Sequence, residues 1–184
     1  MPKFRISKYY LFIHIRSGDI FKKNIPHKDY AQPPFCFYEM ILNNFKFQKV
    51  YIISEDNSNP NIIKLINKYH NILYKQKSLK EDLSLLINAY NIVISMSSLI
   101  ISLIQLNSKL KFLWDYDIYK IKSKIKLFHY DFYKYHYNNF TVFRMEPSSS
   151  YKKIMNIWKN NKKQLKLMIK EKCINDFSII NKIF

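Results

Sequence analysis

Tyr9-Tyr10-Leu11-Phe12-Ile13-His14-Ile15-Arg16-Ser17-Gly18-Asp19 decides how this chain is read. The aromatic and β-branched run suits a buried strand, and it ends in a histidine, an arginine and an aspartate around a glycine. Gly18 is the single glycine of 184 residues, whereas an ordinary globular domain carries about 7% Gly. Arginine is nearly as scarce: Arg5, Arg16 and Arg144 stand among 31 basic residues. Two rare residue types meeting at a strand end mark a candidate site.

Gln32-Pro33-Pro34 introduces a helix, since proline suits a first turn; Phe35, Tyr38, Ile41, Leu42 and Phe45 follow at helical spacing. A second strand, residues 49–54, leads into Glu55-Asp56-Asn57-Ser58-Asn59-Pro60, whose Asn-Pro pair caps a helix carrying Ile62, Ile63, Leu65, Ile66 and Tyr69. Ile72–Tyr74 is a short extended piece. Ser78 and Glu81 form a capping box opening a helix with Leu83, Leu86, Ile87 and Tyr90 on one face. Asn91–Ser95 is the next strand, Ser97-Ser98 a tight break before an apolar helix, and Lys109–Trp114 a fifth strand.

Strands alternating with helices predict an α/β fold, a Rossmann-like parallel sheet with helices on both faces. Ligands on such sheets bind beyond the carboxyl ends of the strands. The loops at that edge are residues 17–30, 55–60 and 96–98. Past Trp114 the texture becomes dense in Tyr, Phe, Lys and His, and residues 115–144 read as an irregular insertion or partner-facing segment. Pro147-Ser148 then starts a long amphipathic helix reaching about Lys172, with Ile154, Ile157, Trp158, Leu165 and Met168 buried. Lys162, Lys163, Lys166, Lys170 and Lys172 coat its outer side. The expected organisation is residues 1–114 as a Rossmann-like domain, with residues 115–184 packed on it as an extension.

At 22.4 kDa and 48% hydrophobic the chain is large enough for a proper core. Its net charge of +18 invites a nucleic-acid or anionic-membrane reading. Lysines spread over every segment fit a solvated surface better than a binding stripe. Cys36 and Cys173 share no metal-like spacing and read as reduced core thiols. The start of the chain is not a signal peptide, and the apolar run from Ile92 to Leu106 is too short and polar to span a bilayer. A soluble chain is expected.

In a strand, His14 and Arg16 point to one face, and Gly18 permits a sharp turn just beyond. A guanidinium offers paired donors to a phosphate. The competing reading pairs Arg16 with Asp19 or Asp82 only to hold a loop, with His14 as a satisfied core histidine. Ser97 and Ser98 add hydroxyls and free backbone N–H groups at a helix N-terminus, an anion site. If the fourth strand lies beside the first, one phosphate is held from both sides.

His14-x-Arg16-x-Gly18-Asp19 resembles the first motif of the fucosyltransferase superfamily. Val50–Asp56 resembles its second-strand motif, and Glu81–Ser98 its third, so the likeness runs from residue 9 to about 114. It implies one half of a GT-B glycosyltransferase, the C-terminal half that binds the nucleotide sugar. By that resemblance Arg16 binds the β-phosphate of a GDP-sugar, GDP-fucose or similar, and stabilises it as it leaves. His14 contacts the ribose or diphosphate, Asp82 accepts from the guanine edge, and Ser97 and Ser98 donate to the phosphates. Gly18 shapes the loop that approaches the donor. Glu55 and Asp56 are as well explained by helix capping. The reaction implied is inverting and metal-independent, toward a glycan or glycoprotein hydroxyl.

Such enzymes carry an acceptor-binding half before the first motif. Here thirteen residues precede it, so the chain is a fragment, or residues 115–184 or a partner domain or subunit supply that wall. Asp19, Asp29, Glu55 and His27 are candidates for a general base, and no spacing selects among them. Two alternatives stand beside the enzyme reading. One is a nucleic-acid-binding module built on the lysines and aromatics of residues 119–137; the other is a donor-binding fold without transfer. His129, Asp131 and His136 lack the fixed spacing of a metal site. The compartment stays open, cytoplasmic by default and secretory if the chain acts like eukaryotic relatives.

Overall fold

Tyr10–His14 forms β1, the strand around which the molecule is built, with Leu11, Phe12 and Ile13 fully buried. The computed structural model describes residues 6–22, 28–117, 140–174 and 176–179. β1 pairs in parallel on one side with β2 (Lys49–Ile53), which pairs with β3 (Ile72–Tyr74). On its other side it pairs with β4 (Asn91–Ile94), followed by β5 (Phe112–Tyr116) and β6 (Thr141–Met145), all parallel. β7 (Ser178–Ile179) adds an antiparallel edge. The order β3-β2-β1-β4-β5-β6-β7 matches the doubly wound Rossmann order over its first six strands.

Helices cover both faces, as the alternation of strand and helix predicts. After a single turn α1 (Asp19–Lys22), α2 (Phe35–Asn44) and α3 (Pro60–Lys68) pack on the face that carries Leu11, Ile13 and Ile15. α4 (Leu79–Ile87) and α5 (Ser98–Leu106) pack on the face that carries Phe12, Ile92 and Ile94. Caps set where these helices begin. The Asn59 side chain accepts from the Asn61 N–H with Pro60 at the first position, and Ser78 and Glu81 close the expected capping box.

The C-terminal part departs from expectation in three ways. First, the sheet continues past Trp114. β5 runs to Tyr116, and Thr141–Met145 is a full strand rather than part of an insertion. Trp114 stacks on Phe143 at 5.3 Å, and Phe45 meets both rings edge-on or tilted. Second, the long helix is two. α6 (Ser149–Met155) and α7 (Lys162–Lys170) are separated by an elbow in which Asn160 takes a positive φ of 50°, and Asn161 caps the second helix. Trp158 is buried in that elbow while Ile157 is 47% exposed, so the expected buried stripe fails at Ile157. Lys162, Lys163, Lys166, Lys170 and Lys172 do lie on the exposed side.

Third, Cys36 and Cys173 are not reduced thiols: they form a disulfide joining α2 to the segment after α7, with Cα atoms 5.5 Å apart. No helix among the described residues is long and apolar enough to cross a membrane.

Candidate functional site

The chain leaves β1 for strands on one side, then crosses to β4 on the other, so the switch point of the sheet lies between β1 and β4. That crevice, at the carboxyl ends of the strands, is where open α/β sheets bind ligands. His14 closes β1, Arg16 lies two residues on, and Ser95 and Ser97 lead from β4 into α5. The Arg16 backbone N–H donates to Ser95 Oγ at 2.8 Å, and Ser95 Oγ lies 3.2 Å from His14 Nδ1. β4 thus lies beside β1, the adjacency on which a shared phosphate between Arg16 and the Ser97–Ser98 turn depends.

The Arg16 side chain is half-buried. Its Nη2 donates to Asp19 Oδ1 at 2.6 Å, Nη1 stands 3.7 Å from Glu55 Oε2, and its guanidinium carbon is 5.6 Å from the centre of the Tyr30 ring. Nε is buried and has no hydrogen-bond partner among the described residues. Of the two loop-holding partners weighed from sequence, Asp19 takes the role and Asp82 does not. Asp19 holds Nη2, and the looser pair of Nη1 with the exposed Glu55 side chain leaves that nitrogen able to exchange its partner for an anion.

Gly18 has φ +65°, the left-handed region that L side chains avoid. An added Cβ would also fall onto the Glu55 carboxylate, although that exposed side chain has room to move. Gly18 thus allows the chain to turn at once from Arg16 into α1, where Asp19 can reach back to it.

Asp56 is the fastener of this loop. Its Oδ1 accepts from Ser17 Oγ at 2.6 Å, the Gly18 N–H at 3.0 Å, the Ser58 N–H at 2.9 Å and Ser58 Oγ at 2.6 Å. Its Oδ2 pairs with the Lys22 ammonium. Partial burial alone pushes the Asp56 carboxyl up, but the bonds from Lys22, Ser17 and Ser58 outweigh it and hold the group well below the usual carboxylate range. Asn59 completes the clasp: its side chain donates to the Arg16 carbonyl, and its N–H donates to Ser17 Oγ, both at 3.0 Å. Asp56 therefore braces the Arg16 loop, and the helix cap falls to Asn59.

On the other wall, Ser97 is the N-cap of α5 but its side chain makes no capping bond. α5 begins just past the carboxyl end of β4, which pairs with β1, so its first N–H groups lie at the edge that Arg16 occupies. Asp82 sits in the first turn of α4, which packs against α5 on the His14 face. Its carboxylate makes no hydrogen bond or ion pair among the described residues, and burial pushes its pKa up against the pull of Lys77, with Glu81 adding to the rise. Burial likewise pushes the His14 imidazole down to about 3, helped by the Arg16 charge.

His14, Arg16, Gly18, Asp82, Ser97 and Ser98 thus all stand at one edge, the first three bound into a network and Asp82 on the neighbouring helix. Sequence reading missed Ser95 and the Ser17–Asp56–Asn59 clasp. Ser95 was findable as the first polar residue after the apolar run Ile92–Ile94. His27, the segment 119–137, His129, Asp131 and His136 lie outside the described residues. Among the described residues no His, Cys, Asp and Glu cluster is arranged to hold a metal.

What the strand order defines is a Rossmann-like α/β chain. No protein-family model, curated protein or solved structure matches it.

Proposed function

We propose that the chain is the donor-binding domain of a fucosyltransferase-like glycosyltransferase, taking a GDP-sugar such as GDP-fucose and transferring the sugar to a glycan or protein hydroxyl. The observation that carries this reading is the Arg16 N–H to Ser95 Oγ bond, which puts a guanidinium and a helix N-terminus side by side at the switch point. The diphosphate lies between them, Asp82 faces the nucleobase, and His14 the ribose or diphosphate.

Cleaving the bond from sugar to phosphate leaves negative charge on the β-phosphate. Arg16 and the α5 N–H groups are fixed where that charge grows, so they favour the transition state over the bound donor. Asp19 holds the guanidinium in place before the donor arrives.

Thermal shift with GDP, UDP, ADP and CMP tests the proposal. GDP should raise the melting temperature selectively, and Arg16→Ala should abolish the rise. Equal shifts with all four nucleotides, or none with GDP, would refute it.

A further inference from the structure

Ser95 is buried, and its hydroxyl oxygen sits between two groups on the β1 end. It accepts from the Arg16 backbone N–H at 2.8 Å and lies 3.2 Å from His14 Nδ1. A backbone N–H is always a donor, so one direction of this relay is fixed. The hydroxyl has one hydrogen left to place, and His14 Nδ1 is the one acceptor it meets among the described residues. A buried hydroxyl donating nowhere carries a desolvation cost. The hydrogen therefore goes to Nδ1, and Nδ1 must be the bare nitrogen of the imidazole.

We propose that Ser95 is a positioning residue that fixes His14 as its Nε2–H tautomer, making His14 a neutral donor for an oxyanion ligand at this edge. The inference deepens the donor-binding reading and rests on it for the ligand's identity. Two consequences follow from the proton count. The ligand atom opposite His14 must be an acceptor, as a phosphate or diphosphate oxygen is. His14 also cannot serve as the general base, because Ser95 occupies one ring nitrogen and the other already holds a proton. A proton from an acceptor hydroxyl must go elsewhere.

Long-range proton–nitrogen correlation NMR of the full chain at neutral pH tests this, with the His14 signals assigned by their loss in His14→Gln. The wild type should show an unprotonated Nδ1 and a protonated Nε2. Ser95→Thr should keep that pattern, while Ser95→Ala should mix the tautomers and weaken GDP binding about tenfold. Inorganic pyrophosphate and GDP should each shift the Nε2–H signal.

A protonated Nδ1 in the wild type, or a Ser95→Ala pattern identical to it, overturns the proposal; the wild-type spectrum alone decides this if Ser95→Ala does not fold. A shift with pyrophosphate but not GDP would sink the guanine-nucleotide reading while leaving the tautomer and oxyanion inference standing. No shift with either would remove the oxyanion role.

Discussion

The Arg16 backbone N–H donates to Ser95 Oγ across 2.8 Å, tying the loop after β1 to the loop after β4. Through that one bond the guanidinium loop and the N-terminus of α5 share a frame, so neither can shift without the other. A diphosphate held between them would meet a site assembled before it arrives.

Arg16→Ala should cut donor hydrolysis or transfer by roughly 10²–10³, the usual effect of losing a donor to developing charge. Its ion pair with Asp19 is partly exposed, 28% and 38% at the two side chains, so stability should fall by no more than about 1 kcal/mol. Steady-state assays beside denaturant unfolding would separate the two effects.

Gly18→Ala should destabilise the chain by about 1–2 kcal/mol, because φ +65° is a left-handed conformation. Gly18→Asn should lose less, since asparagine tolerates that region. Urea midpoints at unchanged slope would check both, and equal losses would mean that crowding against Glu55, rather than the backbone, sets the cost.

Asp56 makes a prediction about acid. Its folded pKa is depressed, so the unfolded state binds more protons in acid. The stability it contributes is complete above the ordinary carboxylate pKa, and drains away as pH falls from about 4 toward the lower folded value. Asp56→Asn should be less stable at pH 7 and show a flatter loss below pH 4. Parallel acid-unfolding curves for the two proteins would contradict the bracing role of Asp56.

Reduction of the Cys36–Cys173 disulfide should cost about 2–4 kcal/mol. For a chain of this size that lowers the melting temperature by about 4–16 °C. Scanning calorimetry with and without reductant, and of Cys36→Ser, measures it. A protein equally stable in both conditions would show that the tie is not holding α2 to the C-terminal segment.

The sequence made the sheet's first five strands and most of the candidate site's residues legible because their signals are local. His14, Arg16 and Gly18 mark a strand end, and Ser78 with Glu81 marks a helix start. The neighbourhood of β1 and β4 followed from how doubly wound sheets cross over. What was hidden depends on long-range packing. Cys36 and Cys173 are separated by 137 positions, and no spacing rule connects them. β6 is a five-residue strand, parallel to β5 on one side and antiparallel to β7 on the other, and its sequence shows little alternation among the surrounding aromatics. The elbow between α6 and α7 keeps a helix-like apolar rhythm, but Trp158 turns inward to donate from Nε1 to the Ile20 carbonyl at 3.1 Å, and Asn160 takes the left-handed turn.

The most direct test compares GDP with GMP by calorimetry in the wild type and Arg16→Ala, because the two ligands differ only in the β-phosphate. If Arg16 grips that phosphate, the wild type should prefer GDP by about tenfold or more, and the preference should vanish in the variant. An undiminished preference in Arg16→Ala would contradict the account.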